Sequence, residues 1–234
     1  DNRGSGDVTV LTGTGAISVD STVTVNTGNG DIANAAGIIA ASKGNVVVNT
    51  NNAGAGNLNI LVKNDLADTD GQGIGAYSSA GTVTVTQSGT IAISGNTDNI
   101  GIDVSSFGGA IINTDADLDG VGSITSSGDG ISAEVLGATG GITLNSRSTV
   151  TADNGDAIHT ETVDGNQIIT VTGSLDANNA GLSQDGIDAT TQRGTLNIST
   201  AAGQTVLADF AGIRAAVTGN GDGGANLVND GNII

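Results

Sequence analysis

One short motif recurs through most of the chain, and its spacing restricts the folds available. A small residue precedes an isoleucine that opens a brief alternating run. The motif reads Gly73-Ile74-Gly75-Ala76, Gly101-Ile102-Asp103-Val104, Gly130-Ile131-Ser132-Ala133, Ala157-Ile158-His159-Thr160, Gly186-Ile187-Asp188-Ala189 and Gly212-Ile213-Arg214-Ala215. The isoleucines are 28, 29, 27, 29 and 26 residues apart. An earlier copy, Gly37-Ile38-Ile39-Ala40, lies 36 residues before Ile74, and the extra length fits a loop within the polar stretch from Asn49 to Gly71. A second run follows each motif, as in Val46–Val48, Thr82–Thr86, Ile142–Leu144, Ile168–Val171 and Thr195–Ile198. A third, weaker run completes the unit: Thr90–Ile93, Ser123–Thr125, Thr149–Thr151, Ser174–Leu175 and Thr205–Leu207. Alternation with period two marks half-buried strands, and Gly, Asn, Asp and Ser punctuate the bends.

A unit of ~29 residues cannot bury its own apolar face, but stacked copies can. The expected fold is therefore all-β: a parallel β-helix with about three strands per coil. Each strand bonds to its equivalent one coil later at ~4.8 Å. Parallel crossovers favour the right hand, so a right-handed helix of roughly triangular section is expected. Residues 37–234 carry the regular repeats. Residues 1–36 fit less well and are expected to form irregular N-terminal coils of the same solenoid, with strands at Asp7–Leu11, Ala16–Val19 and Thr22–Val25. The chain reads as one continuous domain.

Composition agrees with a thin aliphatic core. The 234 residues include 39 Gly, no Pro, Cys, Met or Trp, and only Tyr77, Phe107 and Phe210 as aromatics. Proline would delete a donor from a ladder shared between coils. Without Cys there is no disulfide, zinc-thiolate site, iron–sulfur cluster or catalytic thiol. Without Met the chain is expected to be a processed piece of a longer protein. Asn recurs after strand apolars, as in Ile112-Asn113-Thr114 and Leu144-Asn145-Ser146, where it can take a left-handed corner or stack in amide ladders. Gly231-Asn232-Ile233-Ile234 reads as the opening of another strand, and neither end carries a recognisable cap.

Acidic residues outnumber basic ones 24 to 6, for a net charge of −18. Nucleic acid and anionic lipid need clustered Lys and Arg, and the six here are scattered, so neither is an expected partner. No run approaches the ~18 apolar residues that span a bilayer, so direct membrane insertion of this segment is not expected.

Runs such as Ser88-Gly89-Thr90-Ile91, Asp98-Asn99-Ile100-Gly101-Ile102 and Gly128-Asp129-Gly130-Ile131-Ser132-Ala133 resemble bacterial autotransporter passenger domains and related filamentous-haemagglutinin-like adhesins. The resemblance extends from about residue 37 onward. It implies a secreted protein on the bacterial cell surface, outside the outer membrane. It also implies a β-helical stalk with roles in adhesion, aggregation or biofilm formation. Partners on that reading are other copies of the chain or a host or neighbouring cell surface. The outer-membrane barrel of that family needs aromatic girdles that this segment lacks.

Among local motifs the sharpest is Asp115-Ala116-Asp117-Leu118-Asp119-Gly120. Carboxylates at alternate positions followed by glycine are hard oxygen ligands of the kind Ca²⁺ takes, against the plainer reading of a solvated acidic turn. The EF-hand pattern would require Glu at position 12, which is Ser126 here. Asp68-Thr69-Asp70-Gly71 is a shorter version, and Asn220-Gly221-Asp222-Gly223-Gly224 resembles a single glycine-rich calcium repeat. No other cofactor is expected. His159, the only histidine, follows Ile158, so alternation places it outside as a surface residue without a nucleophile elbow nearby. Gly-x-Gly spacings lack the strand–helix context of a dinucleotide site. Thr84 and Thr86, or Thr170 and Thr172, hint at an ice-binding array, but equivalent outward positions are mixed.

Two other classes remain open. A β-helical polysaccharide lyase or hydrolase would use paired acids such as Asp185 and Asp188, but Glu occurs only at 134 and 161 and sugar-stacking aromatics are scarce. The expectation is therefore not an enzyme. Uncapped ends also admit a subunit of an end-to-end extracellular filament.

Overall fold

The computed structural model describes residues 8–11, 15–21, 36–50, 58–64, 71–95, 97–177, 184–219 and 223–234. Among them there is no helix. Every strand joins one of three parallel sheets, of seven, eight and eight strands, and within each sheet neighbours are successive coils. The chain is thus a β-solenoid of three strands per coil, as the repeat predicts.

The first sheet holds the isoleucine motif, in strands Ala36–Ser42, Gln72–Ser78, Ile100–Ser106, Ile131–Val135, Ile158–Thr162, Asp185–Thr191 and Ala211–Val217. Its register pairs Ile38, Ile74, Ile102, Ile131, Ile158, Ile187 and Ile213 in one column. The five from Ile74 to Ile187 are fully buried, and Ile213 packs half-buried against the same core. A second column, Val48, Val85, Ile112, Leu144, Ile169 and Ile198, lines the second sheet. A third, Ile60, Ile91, Ile124, Val150, Leu175 and Val206, lines the third. These columns fill the interior.

Among the described residues, the largest polar side chain to take a core column position, Gln167, is hydrogen-bonded at both ends of its amide. Gln167 takes the place held by Ile142 and Leu196 in neighbouring coils. Its Oε1 accepts from the Thr160 hydroxyl at 2.6 Å, and its Nε2 donates to the Thr190 carbonyl at 2.7 Å and to Thr162 Oγ1 at 3.3 Å. Buried amides are tolerated only when paired in this way.

The small residue before each isoleucine has a steric cause. A Cβ on Gly130 would lie 2.2 Å from Val150 Cγ1 and 2.6 Å from the Ala157 carbonyl oxygen. Gly73, Gly101, Gly186 and Gly212 would meet Ile91, Ile124, Val206 and Ile233 at 2.1–2.4 Å in the same way. In each case the obstacle is the branch methyl of a β-branched residue of the third sheet. The one coil with alanine here, Ala157, has Leu175 at the corresponding ladder position, which pairs with Val150. Leucine branches one carbon further out and leaves the space that a Cβ needs.

Three differences from the sequence reading stand out. Within the stretch from Asn49 to Gly71, where the sequence places a loop, Leu58–Asn64 is a third-sheet strand that the pattern did not single out, with Ile60 and Val62 buried. Gly109–Asn113 is a second-sheet strand that the sequence pattern did not single out. The recurrent asparagines do not turn left-handed corners, since among the described residues the non-glycine positive φ values belong to Asp115 and Leu118. They do stack: Asn145 Nδ2 donates to Asn113 Oδ1 at 2.8 Å across one coil. At the N-terminal end, Val8–Leu11 and Gly15–Ser21 pair with Val46–Asn49 and Leu58–Asn64, while Thr22–Val25 lies outside the described residues. Asn232–Ile233 does form a strand, paired with Thr205 and Val206.

Gly130→Ala is expected to destabilise the fold by about 1–3 kcal/mol in chemical denaturation, the usual cost of overpacking a close contact. Adding Val150→Leu, which reproduces the Ala157–Leu175 pairing, is expected to recover much of that loss. No loss in the single variant, or no recovery in the double, would contradict the steric account.

Candidate functional site: two acidic clusters on the solenoid surface

The first cluster grows out of the isoleucine column. Two residues before Ile131, Ile158 and Ile187 stand Asp129, Asp156 and Asp185. They sit at the corner leading into the first sheet, and each carboxylate is tied to the next coil. Asp129 Oδ1 accepts from the Asp156 amide at 2.8 Å, Asp156 Oδ1 from the Asp185 amide at 2.7 Å, and Asp185 Oδ1 from the Ala211 amide at 3.1 Å. Beside this column runs a second, set by the outward position after each isoleucine: Asp103, Ser132, His159, Asp188 and Arg214, in register across successive coils. The Tyr77 hydroxyl donates to Asp103 at its far end, at 2.7 Å.

The two columns meet at His159. Its Nδ1 lies 3.4 Å from Asp156 Oδ2 and 3.5 Å from Asp188 Oδ2. These two carboxylates push its pKa up to about 10 against the burial that opposes the charge, with Asp129 adding to the shift. Arg214 closes the network: Nε reaches Asp185 Oδ2 at 2.7 Å and Nη2 pairs with Asp188. Burial drives the Asp129 and Asp185 carboxyls above their ordinary value. Burial also raises Asp188, but His159 and Arg214 outweigh it and hold that carboxyl low. Four carboxylates thus face two cations in a patch that is partly shielded from water.

His159 is therefore not the plain surface histidine that alternation suggested, since only about a third of its side chain is exposed and it bridges two coils. Asp185 and Asp188, the acid pair on which an enzyme reading would draw, are both held by Arg214. Asp156, His159 and Asp188 bring potential ligand atoms within 4.8 Å of one another. A protonated imidazole has no lone pair to give a metal, however, and Arg214 already neutralises Asp188. The alignment could have been found in the sequence, because an Asp stands two before the ladder isoleucine in three successive coils. Beside this patch a shallow hollow of about 260 Å³ is lined by Asp98, Asp129 and Asn154, among others.

The second cluster is the aspartate run at 115–119. It lies at the corner between second-sheet strand Gly109–Asn113 and third-sheet strand Ser123–Ser126. Residues 114–122 make this corner nine residues long. The equivalent corners at 87–89, 147–148, 172–174 and 201–204 have two to four. The structure brings Asp115, Asp117 and Asp119 together, with one carboxylate oxygen of each within 4.8 Å of the others. Asp115 is buried, Asp117 half-buried and Asp119 exposed. The amides of Ala116 and Asp117 anchor the loop on the preceding coil through the Gln87 carbonyl and Ser88 Oγ, at 3.1 and 3.3 Å. Asp115, Leu118 and Gly120 take positive φ values of 47°, 61° and 74°, which folds the run back on itself. Burial raises the Asp115 pKa, and the charges of Asp119 and Asp117 raise it further.

Ser126, the position where an EF-hand would place its closing Glu, is buried and bonds to the carbonyls of Gly128 and Asp129 at 2.9 and 2.6 Å. It is no part of the cluster. Asp68–Asp70 and Asn220–Asp222 lie outside the described residues. A flat threonine face is not formed, because the outward column of the second sheet runs Thr84, Ile111, Thr143, Ile168, Asn197.

No protein-family model, curated protein or solved structure matches the chain, so the side chains themselves carry the functional reading.

His159 yields a pH prediction. Its pKa is raised in the folded chain, so its contribution is complete below its unfolded value of 6.5 and is lost as pH rises towards about 10. Asp129, Asp156, Asp188 and Arg214 are the charged groups around it. In denaturation series, the wild-type protein is expected to exceed His159→Gln by roughly 1 kcal/mol near neutral pH, reduced by solvent screening. The gap should close by about pH 10. A gap that is constant or widens with pH would contradict the ion network.

Proposed function

We propose that this chain is a structural and adhesive stalk, a length of β-helical rod belonging to an exported bacterial surface protein. The observation that carries the reading is the unbroken register of the three sheets, in which every coil is bonded to the next along all three faces. Seven stacked coils at ~4.8 Å give a rod roughly 30 Å long. A force along the axis loads many backbone bonds at once, a suitable property for a spacer that holds an adhesive region away from a cell.

The outer surface supports the same role. Outward positions carry Thr, Asn, Ser and Asp, with isolated apolar residues such as Ile39, Ile111 and Ile168 about half exposed. Such faces give many weak contacts in place of one deep pocket. The net charge of −18 keeps neighbouring rods apart unless cations screen it. The sequence resemblance to passenger domains supplies the expectation of export and of a cell-surface location.

The test is display of the chain on Gram-negative cells through a heterologous outer-membrane anchor. Cells carrying it are expected to aggregate, or to adhere to epithelial or abiotic surfaces, more than cells with the anchor alone. Display at equal density without any gain in either measure would overturn the adhesive reading.

A further inference from the structure

The corner loop from Thr114 to Gly122 gathers three carboxylates, and one oxygen on each of two of them is buried without a partner. Oδ1 of Asp115 and Oδ1 of Asp117 are inaccessible to solvent and have no hydrogen-bond donor. Asp115 as a whole is only 5% exposed. A buried carboxylate oxygen without a donor is costly, and neighbouring carboxylates raise the cost. Local backbone donation reaches other atoms of the cluster, from Gly120 to Asp115 and from the Val121 amide to Asp119 at 2.8 Å, and leaves these two oxygens without a donor. A cation seated against these two oxygens would remove that cost.

We propose that Asp115, Asp117 and Asp119 bind one Ca²⁺ ion, which pins the long corner loop onto the solenoid. The donor set is all oxygen, as a hard cation requires, with no nitrogen or sulfur to favour zinc or copper. Oxygens on one Ca²⁺, at 2.3–2.6 Å from it, lie at most about 5 Å apart, which the 4.8 Å limit within the cluster satisfies. Asp115, buried, and Asp117, half-buried, supply ligands from the protein side. Asp119, on the exposed side, completes the protein ligands and leaves the outer coordination positions to water. The run of alternate aspartates resembles the first half of an EF-hand loop, but here a β-corner shapes it and the closing ligand is absent, so the affinity is that of a weak extracellular site. The ion would also fix Leu118 and Val121, which stand 69% and 61% exposed on the same loop.

The experiment is calorimetric titration of the chelator-stripped protein with CaCl₂, repeated on Asp117→Asn and on Asp230→Asn, a remote exposed acid. Expected is one saturable site per chain with Kd of about 10⁻⁴–10⁻³ M. Asp117→Asn should weaken it at least tenfold and Asp230→Asn should leave it unchanged. Thermal melts establish that both variants are folded, and the parent but not Asp117→Asn should melt several degrees higher in Ca²⁺. Three results would overturn the proposal: no saturable binding by the parent, equal binding by Asp117→Asn, or equal weakening by Asp230→Asn. Tighter binding of Mg²⁺ than of Ca²⁺ would overturn the choice of ion.

Discussion

Backbone hydrogen bonds from each coil to the next govern everything else in this molecule. They run in parallel along three sheets, so a residue's nearest neighbours are its own equivalents one coil above and below. That arrangement converts a loose sequence repeat into columns of like side chains. It makes β-branched aliphatics favourable inside, where they interlock along the axis, and excludes large aromatics from a narrow interior. It also sets the glycine rule: where the third-sheet column is Ile or Val, the first-sheet residue facing it has no room for a Cβ, and alanine appears only opposite leucine.

The same stacking creates an electrostatic problem. Like charges at equivalent positions are placed ~5 Å apart, where each pair costs about 1 kcal/mol even in water and more when shielded. A chain with 24 acids and six bases cannot avoid this everywhere, and Glu134 stands directly against Glu161 in register. The first sheet manages it by interleaving Ser132 between Asp103 and His159, and His159 and Arg214 on either side of Asp188. The corner aspartates manage it by accepting amides of the next coil. The loop at Asp115 instead leaves one buried oxygen on each of Asp115 and Asp117 without a donor.

The isoleucine column was legible in the sequence because a buried position in a stacked repeat tolerates little variation, and Ile recurs with only small changes in spacing. The glycine before it was legible as a motif, but its cause was not, since it depends on a residue about 20 positions later in the third sheet. Strand Leu58–Asn64 was hidden because its flanks are polar and its coil is long. The His159 network was hidden for a related reason: its links between coils join residues 26 to 29 apart, which line up only after the isoleucine register is applied. The aspartate run at 115–119 stood out as a motif. Its buried, partnerless oxygens did not, because they follow from how a nine-residue corner folds over its neighbours.

The most direct test of the stacked-coil account is methyl NMR on protein labelled only at the isoleucine δ1 positions. The account predicts an unbranched chain of cross-peaks among the motif isoleucines, linking Ile74 to Ile102, Ile102 to Ile131, Ile131 to Ile158, Ile158 to Ile187 and Ile187 to Ile213. Direct cross-peaks that skip a coil, such as Ile74 to Ile131, or exposure of the Ile74, Ile102, Ile131, Ile158 or Ile187 methyls to a soluble paramagnetic agent, would contradict it.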